Sequence, residues 1–312
     1  GGRRIVLSTN VAETSLTVPG IRYVIDPGLV RLSRYSHRTK VQRLPIERIS
    51  QASANQRAGR CGRVGPGVCI RLYSEAEFLA RPEFTDPEIK RSNLASVILQ
   101  MKSLRLGDIE DFPFVEAPEN RLITDGYKLL EELGAVNARK QLTESGRHLA
   151  KLPLDPRVAR MVLAGKDENS LAEMLIIASA LSVQEPRERP HEKQQKADER
   201  HKAFADEKSY FSAYLNLWRA YQEQSKHLTN NKFRKWCRDN FISYMRLREW
   251  HDVHSQLKSV VRELGWSLNQ QAADSDAVHR ALLAGLLGNI ANKDEKQEFT
   301  GARGIKLNIF PG

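Results

Sequence analysis

The pattern of apolar residues changes once along the chain, and that change limits the folds open to it. Residues 1 to about 74 alternate short apolar strands with polar turns, which is typical of an α/β lobe. From about residue 94 the apolar residues recur at i, i+3, i+4 and i+7, which predicts amphipathic core helices. The sequence therefore predicts an α/β region followed by a mostly α region, and 312 residues are enough for two or more cores.

One basic stretch, Gln56 to Arg63, carries the clearest chemical signal. At 3.6 residues per turn, Gln56, Arg60 and Arg63 share one face of a predicted helix, while Arg57 points elsewhere. Arginine stays charged and donates two hydrogen bonds at once to phosphate oxygens, so this face suits a triphosphate. A solvated basic helix face is the alternative for this spacing alone.

The neighbouring sequence favours the triphosphate, because two long stretches resemble motifs of one enzyme family. Residues 51–63 (QASANQRAGRCGR) resemble motif VI of the superfamily 2 DEAH-box RNA helicases. Residues 8–17 (STNVAETSLT) resemble motif V, and residues 23–28 (YVIDPG) resemble the strand and turn that follow it. Cys61 and the run at 187–195 make the resemblance closest to the bacterial HrpA-type members, and it extends over essentially the whole chain.

This resemblance implies an ATP-dependent RNA helicase, which couples NTP hydrolysis to 3′ to 5′ translocation and to unwinding of RNA or remodelling of ribonucleoprotein. The nucleotide is ATP or another NTP with Mg²⁺. The residues implied at it are Gln56, Arg60 and Arg63 as catalytic groups, with Asp26 and Gly59 beside them. Turn preference before Pro27-Gly28 explains Asp26 equally well.

The resemblance also implies RNA contacts at the carboxyl end of the first apolar strand, where open α/β sheets bind ligands. The residues concerned are Ser8, Thr9, Asn10 and Thr14. Their side chains donate neutral hydrogen bonds to sugar and phosphate, which carry no sequence information. Simple helix capping by Thr9 or Asn10 is the alternative.

A second RNA contact is implied in residues 30–44, whose strands and polar tip at 36–39 predict a hairpin. In DEAH-box helicases a hairpin at this place projects toward the duplex junction. We therefore expect Arg34, Arg38 and Lys40 to contact RNA. The alternative is a surface ribbon whose charges prevent pairing at a sheet edge.

Two parts that the family needs do not occur in this sequence. No stretch reads G-x-x-x-x-G-K-[ST], and the letters D-E-A-H never occur together. The glycines at 59–67 lack the lysine of a phosphate loop and lead into a strand, so they predict tight turns. We expect an internal fragment of a longer enzyme, inactive alone, in which a first lobe outside this sequence holds most of the nucleotide.

Four regions follow from the resemblance. Residues 1–74 are expected to be the carboxyl-terminal part of the second RecA-like lobe, and 75–155 a winged-helix module. Residues 156–285 are expected to form a ratchet-like helical bundle, and 286–312 the start of a β-rich OB-like module. A winged-helix module alone could be a DNA-binding regulator, but residues 94–104 lack a dense basic recognition helix, which favours a packing role.

Two features of the helical bundle allow alternatives. The mixed charges of residues 186–208 fit either a solvated linker or, by the resemblance, an ordered wall of the RNA channel. Trp218, Tyr221, Phe233 and Trp236 could stack on bases, but their helical spacing favours core packing.

The net charge of +11 favours a polyanionic partner. Three cysteines without a C-x-x-C spacing argue against a disulfide framework or a structural zinc site. No apolar run approaches the ~20 residues that cross a bilayer. Together with the family resemblance, these features lead us to expect a cytoplasmic monomer that binds RNA, with a non-enzymatic RNA-binding remnant or a winged-helix regulator as the alternatives.

Overall fold

The computed structural model describes residues 4–36, 41–43, 45–293, 298–301, 304 and 306–307. The chain divides into two compact units. The first, called the α/β unit, comprises Gly1–Leu94 and Ile109–Gly126. The second, called the helical unit, comprises Ala95–Asp108 and Tyr127–Gly312.

The α/β unit is built on a pair of parallel strands, β1 (Tyr23–Asp26) and β6 (Val68–Arg71). Parallel strands need a crossover connection, and this one contains helix α2 (Gln51–Gly59). The short helices α1 (Val11–Thr14) and α3 (Glu75–Leu79) lie before and after this pair in the chain. Large apolar side chains of β1 and β6 remain exposed, so the unit has a small apolar core.

A two-step antiparallel ribbon is inserted between β1 and α2. Strand β2 (Leu29–Arg31) pairs with β5 (Ile46–Arg48), and β3 (Arg34–Ser36) pairs with β4 (Val41–Arg43). The predicted hairpin is therefore confirmed, although its tip at 37–40 lies outside the described residues.

The rest of the described chain is mostly helical, as predicted. Local sequence explains where several helices begin. The Thr143 hydroxyl accepts a hydrogen bond from the Gly146 amide, and the Asp155 carboxylate accepts one from the Arg157 amide, with Pro156 in the first turn. The helices, in chain order, are α4 (Ala95–Ser103), α5 (Asn120–Glu132), α6 (Glu144–Lys151), α7 (Pro156–Asp167), α8 (Leu171–Leu181), α9 (Gln194–His201), α10 (Tyr210–His227), α11 (Asn230–Asp239), α12 (Tyr244–Glu263) and α13 (Ser275–Ala284).

The core of the helical unit is aromatic and fully closed. Trp250 is 0% exposed, and its indole nitrogen donates to the Ile176 carbonyl and the Ser179 hydroxyl, each at 3.0 Å. Trp218 and Phe233 are buried beside it, so the prediction of core packing for these aromatics is confirmed. A second apolar cluster joins α7, α8, α10 and α13.

The charged segment 186–208 is ordered. Arg187 forms an isolated antiparallel bridge with Ile242, α9 lies within the segment, and Phe204 is buried in the aromatic core. The prediction of order is therefore confirmed and a solvated linker is wrong, while the wall of an RNA channel stays a prediction. A small antiparallel sheet, β7 (Ala291–Lys293), β8 (Phe299–Gly301) and β9 (Lys306–Leu307), closes the described chain.

None of the helices in the described residues is long and apolar enough to cross a membrane.

Candidate functional site

Helix α2 ends earlier than the arginine spacing predicts. It begins where the Ser50 hydroxyl accepts a hydrogen bond from the Ser53 amide, and it ends at Gly59. The Arg60 amide bonds the Arg57 carbonyl at 3.1 Å, an i to i−3 bond that tightens the last turn. The prediction that Gln56, Arg60 and Arg63 share a helix face is wrong, because glycine disfavours helix and the chain turns here.

A cavity of about 710 Å³ opens beside this turn, within the α/β unit. Six of the predicted site residues line it. Those that do are Ser8, Thr9, Asn10, Asp26, Arg60 and Arg63, and Arg57 joins them. Gln56, Gly59 and Thr14 are not among the lining residues, and Gln56 is exposed to solvent. Arg60 and Arg63, which are expected to bind phosphate, thus lie at the same cavity as the 8–10 loop, which is expected to contact RNA.

The helical spacing predicted that Arg57 points away from the site. In the structure Arg57 lines the cavity instead. Its Nε lies 2.7 Å from Glu13 Oε1, and its Nη1 lies 2.7 Å from Asp26 Oδ1. Its Nη2 donates to the Leu29 carbonyl at 3.1 Å. Burial alone would lower the pKa of Arg57, but its bonds to the two carboxylates raise the pKa overall. This arginine is therefore a permanently charged, fully paired group.

Asp26 is buried and fully engaged by neighbours in the same unit. Besides Arg57, it accepts hydrogen bonds from the Tyr73 hydroxyl at 2.7 Å and from the Gly28 amide at 2.9 Å. Burial favours a higher pKa for Asp26, yet these hydrogen bonds outweigh it and hold the pKa below its usual range. Tyr73, in turn, has its pKa raised to about 12 by burial and by Asp26.

The turn at Gly28 allows this packing. Gly28 has a φ of +72°, and a Cβ there would lie 2.6 Å from the Tyr73 ring. The Arg81 guanidinium stacks 3.8 Å from the centroid of that ring and donates to the carbonyls of Gly28 and Ile49. The hydrogen bond from the Gly28 amide to Asp26 supports the alternative in which turn preference explains Asp26. Asp26 also forms the ion pair with Arg57.

Arg60 and Arg63 differ sharply from Arg57. Arg60 Nη1 donates to the Leu16 carbonyl at 3.4 Å, and Arg63 Nη1 donates to the Thr17 hydroxyl at 2.6 Å. Neither guanidinium has a carboxylate partner among the described residues. Two positive charges therefore face the cavity with no carboxylate bonded to either of them in the described part of the chain, which suits an anion.

The 8–10 loop presents polar groups that local structure uses only weakly. Asn10 occupies the capping position of α1 without a side-chain capping bond, and the Thr9 hydroxyl lies a long 3.5 Å from the Val11 amide. The capping alternative is therefore wrong for Asn10. Ser8, Thr9 and Asn10 are all exposed, so their hydrogen-bonding groups are accessible to a ligand.

The ribbon places Arg34 differently from the expectation of an RNA contact. Its guanidinium binds Glu47, with Nη2 to Oε2 at 2.8 Å, and Asp86, with Nη1 to Oδ2 at 3.1 Å. Arg91 adds a bond to the Ser33 carbonyl at 3.0 Å. Arg34 thus anchors the base of the ribbon. Arg38 and Lys40 lie outside the described residues.

The cavity residues fit part of a magnesium nucleotide. A bound triphosphate would supply the anionic group for Arg60 and Arg63, and Mg²⁺ would require free oxygen ligands. The carboxylates lining this cavity are Glu13 and Asp26, and Arg57 engages both. The residues therefore suit phosphate, whereas they do not fit a metal ion.

Parts of the chain match three family descriptions, all of helicase domains. The helicase conserved C-terminal domain matches residues 1–65, the winged-helix part of the helicase associated domain (HA2) matches 127–154, and its ratchet-like part matches 155–245. The chain is 62% identical over its whole length to the ATP-dependent RNA helicase HrpA of Escherichia coli strain K12. It is 60% identical to the ATP-dependent RNA helicase HrpA homolog of Haemophilus influenzae.

The predicted resemblance to the HrpA-type helicases is confirmed. The chain spans 24% of the length of each of these two relatives. The α/β region, the winged-helix match and the helical region occur in the order that the HrpA-type resemblance implies.

The sequence did not reveal the partners of Arg57. Glu13 lies inside the motif V stretch and Asp26 closes the strand that follows it, but no spacing links them to Arg57, which lies 44 and 31 positions away, respectively. The sequence held one indirect signal: the stretches 8–17 and 23–28 each contain an acidic residue, Glu13 and Asp26, and the stretch 51–63 contains arginines that could pair with them. Such a signal does not specify which arginine is used.

Proposed function

We propose that this chain forms the part of an ATP-dependent RNA helicase that completes the nucleotide site and contacts the RNA strand. The observation that carries the proposal concerns Arg60 and Arg63, whose guanidinium groups bond to no carboxylate of the described residues. They lie at the same cavity as the exposed 8–10 loop. The names of the two relatives support ATP and RNA as the ligands.

Each group has a distinct task in this proposal. Arg60 and Arg63 bind the terminal phosphate of an NTP held mainly by a first lobe, and they stabilise the charge that develops during phosphoryl transfer. Ser8, Thr9 and Asn10 contact the backbone of a single strand, since their neutral donors suit sugar and phosphate. Asp26 acts through Arg57 and not as a nucleotide ligand.

The remaining assignments follow from the same proposal. The four regions keep the boundaries 1–74, 75–155, 156–285 and 286–312, with the last one beginning an OB-like module. The basic ribbon, anchored at Arg34, separates the duplex. Mg²⁺ is held outside this chain, and a ribonucleoprotein target, a monomeric state and a cytoplasmic location stay predictions.

The direct test uses the full-length protein and two labelled RNA duplexes, one with a 3′ and one with a 5′ single-stranded extension. We expect strand separation of the 3′-tailed duplex in the presence of ATP and Mg²⁺, and no separation of either duplex without ATP. The 5′-tailed duplex is the matched control for polarity. RNA binding without any ATP-dependent strand separation would contradict the proposal and favour a non-enzymatic RNA-binding protein.

A further inference from the structure

Arg57 joins three separate segments of the α/β unit through one guanidinium group. We infer that Arg57 is a positioning residue that couples the RNA-contacting 8–10 loop to the phosphate-binding arginines, an inference that rests on the proposed function. Its three nitrogens bind α1 through Glu13, the end of β1 through Asp26, and the start of β2 through the Leu29 carbonyl. A planar fork of this kind holds all three partners in one fixed geometry.

Two of these partners are fixed, and one is free to move without Arg57. Asp26 is held by Tyr73 and by the Gly28 turn, and β2 is held by its pairing with β5. Helix α1 has four residues and no buried residue. A helix this short is not stable alone, so its position depends on contacts with the rest of the unit.

Glu13 supplies an ion pair among those contacts. Its side chain is 12% exposed and that of Arg57 is 14% exposed, so the ion pair is largely shielded from solvent. Ion pairs at such sites depend on both partners, because removing one leaves the other charge buried. Losing either partner therefore releases α1 and the 8–10 loop that immediately precedes it.

The same movement reaches the phosphate-binding arginines. The residues that follow α1, Leu16 and Thr17, accept the hydrogen bonds of Arg60 and Arg63. The segment from Ser8 to Thr17 thus contacts the proposed RNA strand at its first residues, and at its last residues it contacts Arg60 and Arg63, the proposed phosphate-binding arginines. Arg57 fixes its middle, which makes RNA contact at the loop and orientation of the arginines parts of one arrangement.

The experiment compares Glu13→Ala, Arg57→Lys and the double variant with wild type in the full-length protein. Lysine keeps a positive charge beside the buried Asp26 but cannot bind all three segments at once. Arg48→Ala is the matched control, because the ion pair that Arg48 forms with Glu77, at 3.6 Å, is exposed. The readouts are kcat for ATP with and without saturating RNA, RNA affinity, and the thermal midpoint.

We expect each single variant to lower the stimulation of kcat by RNA, the ratio of the stimulated rate to the basal rate, about tenfold. The thermal midpoint of Glu13→Ala should stay near wild type, because Arg57 keeps its pair with Asp26. The stimulation of kcat by RNA in the double variant should be no lower than in the more impaired single variant, because both changes break the same link. Arg48→Ala should keep the full stimulation.

Three outcomes would overturn the inference. Glu13→Ala could keep wild-type stimulation, the two effects could multiply in the double variant, or basal and stimulated rates could fall together with the thermal midpoint. The first two would show that Arg57 acts without Glu13, and the third that the link serves folding alone. Failure of the proposed function has a separate signature, since the wild-type protein would then show no ATPase stimulated by RNA.

Discussion

The two units of the chain hold their side chains in place by different interactions. The helical unit encloses a Trp-rich core in which Trp250 is 0% exposed and even its indole N–H is satisfied. The α/β unit leaves apolar strand residues such as Ile25 at 66% exposure, and it holds its site through Glu13, Arg57, Asp26 and Tyr73. Non-directional burial gives stability, whereas directional charge pairs give defined geometry at a site.

The largest expected difference between the units is in their response to apolar truncation. In the 312-residue chain, Trp250→Ala should lower the free energy of unfolding of the helical unit by about 3–5 kcal/mol, because it leaves a cavity in a closed core. Ile25→Ala, the matched change in the α/β unit, should stay within about 0.5 kcal/mol. All four tryptophans lie in the helical unit, so fluorescence during urea unfolding follows that unit, and hydrogen exchange follows both. Equal losses from the two variants would remove the contrast.

A smaller difference should appear on acidification. Burial, aided by Lys258, lowers the pKa of His254 from 6.5 to about 4. The unfolded chain therefore binds a proton between these pH values that the folded helical unit rejects, so stability falls as the pH drops from 6.5 toward 4. The loss should be on the order of 2 kcal/mol.

The variant that checks this is His254→Gln, which cannot titrate, with His251→Gln at an exposed neighbour as control. Thermal unfolding monitored by tryptophan fluorescence should lose part of its pH dependence only in His254→Gln. The α/β unit should behave differently. Because the folded pKa of Asp26 lies below its usual 3.8, its contribution persists above that value and is lost only as the pH falls through the lowered pKa. An unchanged pH profile in His254→Gln would assign the acid sensitivity to other groups.

The sequence predicted apolar structure better than polar structure. The general prediction of amphipathic core helices is confirmed at α12, which buries Leu247, Trp250, Leu257 and Val261. Apolar positions repeated at helical spacing report directly on a buried face. The spacing was less reliable at α4, where Leu94 is buried but Leu104 is exposed beyond the helix end. Residues at the end of an apolar stripe lie where the helix stops, and spacing alone does not give that point.

The site shows the limit more clearly. Motif resemblance gave the positions of Arg60 and Arg63, but helical spacing extended α2 past Gly59 and therefore placed Gln56 with them and Arg57 away from them. The Arg57 network joins residues up to 44 positions apart, and its geometry depends on the Gly28 turn. Ion pairs of that range follow from tertiary packing, which no local pattern encodes.

In this proposal Arg57, which is bound to two carboxylates, positions the site, whereas Arg60 and Arg63 act on the nucleotide. Steady-state ATP hydrolysis by the full-length protein carrying Arg60→Ala or Arg63→Ala tests it most directly, alongside RNA affinity measured without nucleotide. Loss of a group that stabilises transition-state charge should lower kcat roughly 10³-fold, and RNA affinity should stay near wild type. A normal kcat, or an equal loss of RNA binding in both variants, would contradict the claim and make these arginines contacts to the RNA backbone.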